Sequence, residues 1–205
     1  MAEQAGKSFE IIAGDVTLDL VNTLDFRFRE SGPEELLTSY DDLLRFVTQS
    51  GLVTEAEARR LRRIERPDGQ GAGVLKQVIE LREAVASVLY AWLDGSEVQA
   101  VSLSTLERYF KQASAQRRLI ASGPRLEWSW EEAGEGLSAP FFLLAQAAAD
   151  LLLSERVAQL RSCASSTCKW LFLDASKNHS RRWCDMRVCG NRMKARRFQA
   201  RQTER

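Results

Sequence analysis

The four cysteines are the sequence feature that most limits how this chain can fold. All of them lie within the last 43 residues, at Cys163, Cys168, Cys184 and Cys189, in the spacing C-x4-C-x15-C-x4-C. Two close pairs separated by a hairpin-length segment are typical of a structural zinc site, because four thiolates complete the tetrahedral shell of Zn²⁺ and neither pair alone can. The spacing predicts one zinc ion per chain, with no position left for a catalytic water.

Two buried disulfides or four unligated thiols are the alternatives that this spacing leaves open. Disulfides are rare in a reducing cytosol. We expect a cytoplasmic protein because residues 1–15 carry acidic side chains and lack the apolar segment of a secretory signal. No apolar run approaches the roughly 18 residues of a membrane span, so we expect no membrane partner.

The segment between the cysteine pairs has the pattern of a β-hairpin. Trp170 and Phe172 alternate with leucines, turn-forming residues follow at 174–178, and the chain returns through 181–183 to Cys184. Residues 193–198, after the last cysteine, favour a helix. A knuckle, a hairpin and a helix held by zinc predict a treble-clef-like zinc finger over residues 161–205.

Charge divides the chain into an acidic body and a basic tail. Residues 1–175 contain 19 basic and 26 acidic residues, whereas residues 176–205 contain 10 basic and 2 acidic ones. Such a tail is typical of a segment that meets a polyanion, and we expect duplex DNA. A solvated basic terminus without a specific partner is the alternative. The candidate nucleic-acid contacts are Arg181, Arg182, Arg192, Lys194, Arg196, Arg197 and Arg201.

The body, residues 1–160, is predicted to be mainly α-helical. Apolar periodicity indicates helices over 39–49, 54–64, 74–93, 104–118 and 138–161, with a flexible loop at 67–73. Period-2 alternation over 125–131 indicates a half-buried strand that pairs with 119–121 across Ser122-Gly123-Pro124. The fold class is therefore mainly α with a small β-hairpin, followed by the zinc finger. We expect this body to keep its fold without the metal.

A stretch near the N-terminus interleaves short polar side chains with apolar ones. Asp19, Asn22 and Thr23 adjoin the face that carries Leu18 and Val21 if this stretch is helical. Buried polar groups must be hydrogen-bonded. They therefore either cap or tie neighbouring backbone segments or line a cavity for a small-molecule effector.

Several motifs of the tail resemble one family. Residues 163–201 are similar to the CGNR zinc finger, whose name is spelled by residues 189–192, and the segments Trp-Leu-Phe-Leu-Asp and Arg-Arg-Trp-Cys also match. The stretch Leu-Asp-Leu-Val-Asn-Thr at residues 18–23 resembles the opening of the ABATE domain, which usually precedes that finger in bacterial proteins. The resemblance implies a bacterial, stress-related transcription regulator that binds zinc through its four cysteines and DNA through its finger.

We expect no enzymatic activity. The single histidine, His179, lies in the predicted hairpin turn, and no nucleophile elbow, phosphate loop or metal-hydrolase motif is present. A small finger contacts few base pairs, so a sequence-specific regulator is expected to form a homodimer through its body. The alternative function is a zinc-stabilised module that docks on an acidic protein surface or binds RNA without sequence preference.

Overall fold

The computed structural model describes residues 8–130, 136–195 and 199, and of residues 66–68 the backbone alone. The α-helices of this part of the chain are α1 (Val16–Asn22), α2 (Tyr40–Gln49), α3 (Glu55–Asp68), α4 (Gly71–Asp94), α5 (Ala100–Ser114) and α6 (Ala139–Leu152). The fold class is mainly α, as predicted.

The strands form three short antiparallel pairs. They are β1 (Leu24–Asp25) with β2 (Glu34–Glu35), β3 (Arg117–Ser122) with β4 (Arg125–Trp130), and β5 (Leu160–Ser162) with β6 (Leu171–Leu173). A 3₁₀ turn at Glu155–Gln159 precedes β5, and a π-helical turn at Met186–Gly190 leads into helical residues 191–195.

Local capping chemistry places the helix starts where the sequence predicts them. The Thr54 hydroxyl accepts from the Glu57 backbone N–H at 3.2 Å, and the Glu57 carboxylate accepts from the Thr54 N–H at 2.7 Å. This capping box begins α3. Ser39 begins α2 by accepting from the Asp42 N–H at 3.1 Å.

Three predicted element boundaries are wrong. The helix predicted over 104–118 spans Ala100–Ser114, and residues 117–118 belong to β3. The flexible loop expected at 67–73 is reduced to residues 69–70, because α3 continues to residue 68 and α4 starts at Gly71. A Cβ at Gly71 would lie 2.5 Å from Cγ of Tyr40, so this glycine permits close helix packing rather than flexibility. The helix predicted over 138–161 ends at residue 152, because the chain beyond it forms β5 and pairs with β6.

The core lies around α4 and is closed by α1, α2, α5 and α6. Val78, Leu81 and Val85 of α4 are fully buried, and Tyr109 of α5 meets Phe141 of α6 edge to face at 4.9 Å between ring centroids. No helix in the described part of the chain is both long and apolar enough to cross a membrane.

One cation is buried in this core and is fully paired. The guanidinium of Arg82, whose side chain is 2% exposed, donates to both carboxylate oxygens of Glu35 at 2.7 Å and to Glu83 at 2.8 Å. It also donates to the Thr23 hydroxyl at 3.1 Å. This network joins α4 to β2 and to the end of α1.

The body and the finger share one hydrophobic core. The side chains of Leu171, Phe172 and Leu173 in β6 are buried among body residues, together with all four cysteines. The Leu173 N–H donates to the Ala13 carbonyl at 2.8 Å, which fixes β6 beside the segment that precedes α1. The division into residues 1–160 and 161–205 stays a prediction. Strand β6 lies on the finger side of that boundary and packs into the core of the body.

Candidate metal centre

The first cysteine pair lies in the connection between β5 and β6. The Cys163 N–H donates to the Trp170 carbonyl at 2.8 Å, which extends the strand pairing by one step, and the Cys168 N–H closes a turn on Ser165 at 3.2 Å. Lys169 then takes a left-handed conformation, with φ of 61°, and the chain enters β6. This turn directs both thiols to the same side.

The second pair brackets the π-helical turn. Asp185, next to Cys184, caps that turn by accepting from the backbone N–H groups of Arg187 and Val188. Cys189 then lies over Cys184, with their Sγ atoms 3.6 Å apart. Tight local turns thus set the spacing within each pair.

The predicted strand partner within the finger is wrong. Residues 181–183 form no strand, and β6 pairs with β5, which precedes the first cysteine. Among the described residues, the backbone of this segment is joined to the cysteine turn by one hydrogen bond, which the Ala164 N–H donates to the Arg182 carbonyl at 2.8 Å. The cysteine pair therefore sits at the tip of the β5–β6 hairpin rather than at the base of a later one.

The four Sγ atoms lie within 4.8 Å of one another, and all four side chains are buried. Cys184 Sγ lies 3.6 Å from both Cys168 Sγ and Cys189 Sγ. A disulfide requires about 2.05 Å, whereas four sulfurs at about 2.3 Å from one zinc ion are separated by roughly 3.8 Å. The thiols are free, and their separation fits one tetrahedral zinc.

The electrostatics of the cluster demand a cation. Thiol hydrogen bonds from Cys168 and Cys184 hold the pKa of Cys163 far below its usual range, while the pKa values of Cys168 and Cys184 are raised by hydrogen bonding to Cys163 and by burial. Burial also raises the pKa of Cys189. Four thiolates in one buried cluster would repel one another, and a bound Zn²⁺ would supply the charge that holds all four ionised.

The loop after β6 is organised by Asp174, a buried acid at the end of the Trp-Leu-Phe-Leu-Asp segment, for which the sequence predicted only a place in the turn. Asp174 accepts from the Ser176 hydroxyl and N–H with one oxygen and from the Arg181 N–H, at 2.9 Å, with the other. The Ser176 hydrogen bond holds the pKa of Asp174 below its ordinary value. His179 is exposed in this loop, as expected, and lies outside the cysteine cluster.

Asn22 joins the body to the metal-binding hairpin instead of facing a ligand. Its side-chain amide donates to the Leu171 carbonyl and accepts from the Leu171 N–H, both at 2.9 Å. Thr23 donates to the Leu20 carbonyl at 2.6 Å and accepts from Arg82. These contacts favour the structural alternative, because backbone and side-chain groups of the chain itself hold these residues. A small-molecule effector at this stretch stays a prediction.

Asp19, the third residue of that set, holds the segment before α1. One carboxylate oxygen accepts from the Ile12 and Ala13 N–H groups, both at 2.9 Å. Burial raises the pKa of Asp19 to about 6, although these two hydrogen bonds act in the opposite direction. The carboxyl group of Asp19 joins the segment before α1 to that helix, and burial makes its ionised form unfavourable.

We expect Asp19→Asn to stabilise the protein at neutral pH. The folded pKa lies above the unfolded value of about 3.9, so the folded state binds the proton more tightly and this contribution to stability falls as pH rises from about 4 to 6. An amide oxygen can accept the same two bonds without the charge. Unfolding at pH 7.5 should show a gain on the order of 2 kcal/mol that vanishes near pH 4. A variant less stable than wild type at pH 7.5 would contradict this assignment.

Arg181, predicted to contact nucleic acid, is held inside the finger. Its guanidinium lies 4.4 Å from the centroid of the Phe172 ring and donates to the carbonyls of Trp183, at 3.0 Å, and Cys184. A guanidinium with these partners braces the second cysteine pair. These contacts give Arg181 a structural role, and its assignment as a DNA contact stays a prediction.

The other predicted cations are placed differently. Arg182 and Lys194 are exposed, whereas Arg192 is half-buried beside a small cavity that borders the cysteines. Arg196, Arg197 and Arg201 lie outside the described residues. Arg187, absent from the predicted set, is exposed on the π-helical turn, and its position between two metal ligands was the signal that could have identified it.

Comparison with known proteins agrees with this arrangement. A family model described as "Putative stress-induced transcription regulator" (ABATE) matches residues 14–155, and the model of the CGNR zinc finger matches residues 159–202. No curated protein is significantly similar in sequence to the chain. The helical body and the four-cysteine centre lie in these two matched segments, respectively. The chain belongs to the ABATE family and carries a CGNR zinc finger.

Proposed function

We propose that this protein is a non-catalytic transcription regulator that binds duplex DNA through its zinc finger. The family assignment supports a zinc-binding regulator. The observation that carries the DNA-binding proposal is the arrangement of charge on the second half of the finger. Exposed cations surround the second cysteine pair, while the neighbouring acids, Asp174 and Asp185, accept hydrogen bonds from the finger itself.

The acids near this surface are satisfied by the finger itself. Asp174 is buried and binds the loop that follows it, and Asp185 accepts two backbone N–H groups at the start of the π-helical turn. The carboxylates of Asp174 and Asp185 therefore hold the backbone of the turns in which they lie. Arg182, Arg187 and Lys194 remain exposed in the same segment and present a positive surface. These like charges repel one another, and the phosphate groups of a polyanion offset that repulsion.

The proposal predicts a strong salt dependence of duplex binding. If the surface neutralises about four phosphates, log affinity should fall against log salt with a slope of roughly −3 to −4. Replacing Arg182, Arg187 and Lys194 together by alanine should reduce the magnitude of that slope by about one for each phosphate that is no longer neutralised. Fluorescence anisotropy of a labelled duplex, from low to physiological salt, measures both slopes.

A triple variant of the body provides a matched control. Arg59, Arg63 and Lys76 are also exposed, and their replacement by alanine removes the same charge from outside the finger. This variant should retain the wild-type slope. Equal loss of binding in both triple variants, or equal affinity of wild type for DNA and for an acidic peptide, would argue against a DNA-binding finger and for the protein-docking alternative.

A further inference from the structure

The β3–β4 hairpin exposes an apolar face. Leu119 pairs with Trp128 and Ala121 with Leu126, so these four side chains lie on the same face of the two-stranded sheet. The exposed fractions are 54% for Leu119, 60% for Trp128 and 68% for Leu126. The sequence alternation predicts that this face is half-buried, and the structure leaves it open.

The hairpin is anchored to the body only at its base. Trp130 stacks on Phe142 of α6 with ring centroids 6.4 Å apart, and beyond that point β3 and β4 contact chiefly each other. Trp128 borders a cleft of about 570 Å³ whose opposite wall includes Leu61 and Leu143. The apolar face therefore overhangs the edge of the body, beside an open cleft.

The chain itself offers little to cover this face. Among the described residues, Arg117 places its guanidinium 4.8 Å from the centroid of one Trp128 ring and leaves both leucines open. The residues outside the described part include only Met1 and Phe198 as large apolar side chains. Cover must come from another molecule.

We propose that this face is the interface of a two-fold homodimer, in which the hairpins of two copies pack face to face. Two leucines and a tryptophan exposed to this degree present on the order of 350 Å² of apolar surface. A standard interface buries about 800 Å² on each partner. The patch thus supplies an apolar centre of suitable size, and the cleft rim can supply the remainder.

A second copy fits this face because each copy presents the same apolar side chains, so one patch can meet its equivalent in an isologous contact. Such a contact excludes water from both patches at once. An isolated two-stranded hairpin is only marginally stable in water, so association also stabilises the element itself.

Sedimentation velocity of the full chain without DNA tests the proposal. Wild type should sediment as a dimer of about 46 kDa, twice the 23.1 kDa chain, at tens of micromolar. Leu126→Arg should weaken dimerisation at least tenfold, because it would place a charge at the centre of the apolar contact. Leu153→Arg and Val101→Arg, at side chains 84% and 66% exposed elsewhere on the body, are matched controls that should remain dimeric.

A second measurement does not depend on the folding of any variant. In wild type, the backbone amides of residues 117–130 should become more protected from hydrogen exchange as protein concentration rises. A monomeric wild type over the whole range, a dimer that Leu126→Arg leaves intact, or exchange at 117–130 independent of concentration would overturn the proposal. Because all readouts are made without DNA, they are independent of whether the finger binds a duplex.

Discussion

Cys184→Ser is expected to abolish stoichiometric zinc binding and to destabilise the helical body as well as the finger. Three thiolates cannot complete the tetrahedral shell, and structural zinc contributes about 10–16 kcal/mol to folding in isolated finger peptides. Here the buried strand β6 belongs to the body's own core and is bound by Asn22 at both backbone groups of Leu171. Disorder at the metal centre should therefore extend through β6 and the Asn22–Leu171 hydrogen bonds to α1.

The expected loss is roughly 5 kcal/mol or more, which corresponds to a fall in melting temperature of at least 10 °C for a chain of this size. Metal analysis of the purified protein and a thermal melt followed by circular dichroism measure both effects. Lys177→Ala is the control, because that side chain is exposed and lies outside the cluster, and it should change neither. A zinc-free variant whose body melts at the wild-type temperature would restore the expectation, drawn from the sequence, that the body folds independently of the metal.

Arg82→Ala is expected to cost about 2–3 kcal/mol, because it removes a buried guanidinium with its charge-assisted hydrogen bonds, while the Glu35 side chain is 32% exposed and can regain water. Glu35 would lose both of its 2.7 Å bonds, and the Thr23 hydroxyl would lose its donor. Unfolding in denaturant at pH 7.5 measures the loss. Arg108→Ala removes an exposed arginine 3.9 Å from Glu80 and should change stability by less than about 1 kcal/mol.

The deficit of Arg82→Ala should shrink in acid. Burial alone would raise the pKa of Glu83, but hydrogen bonds and charge from Arg27 and Arg82 outweigh it and hold that pKa below its ordinary value. A depressed carboxyl pKa contributes stability above the unfolded value of about 4.3, and that contribution is lost as pH falls through the folded pKa. An Arg82→Ala deficit that stays constant down to pH 3 would show that lost packing, rather than lost charge, sets its size.

Local signals in the sequence were sufficient for several features of the protein. The cysteine spacing identified the ligands of the metal centre, because each pair is closed by a turn of a few residues. The Thr54–Glu57 capping box placed the start of α3, and alternation around Ser122-Gly123-Pro124 placed the β3–β4 hairpin. In each case the stabilising contacts lie within a few residues of the signal, so the pattern and the structure have the same cause.

The tertiary structure alone decided which distant groups meet. Asn22 lies 149 residues from the strand that it binds, and β6 pairs with the strand before the cysteines instead of the segment after them. The guanidinium of Arg181, a candidate DNA contact, donates to backbone carbonyls of the finger. In the sequence, a polar side chain that hydrogen-bonds to the backbone has the same residue type and spacing as one that binds a ligand, so the two roles cannot be told apart there. The difference arises from packing across the chain, where burial requires each polar group to find a partner and long-range geometry determines which partner is within reach.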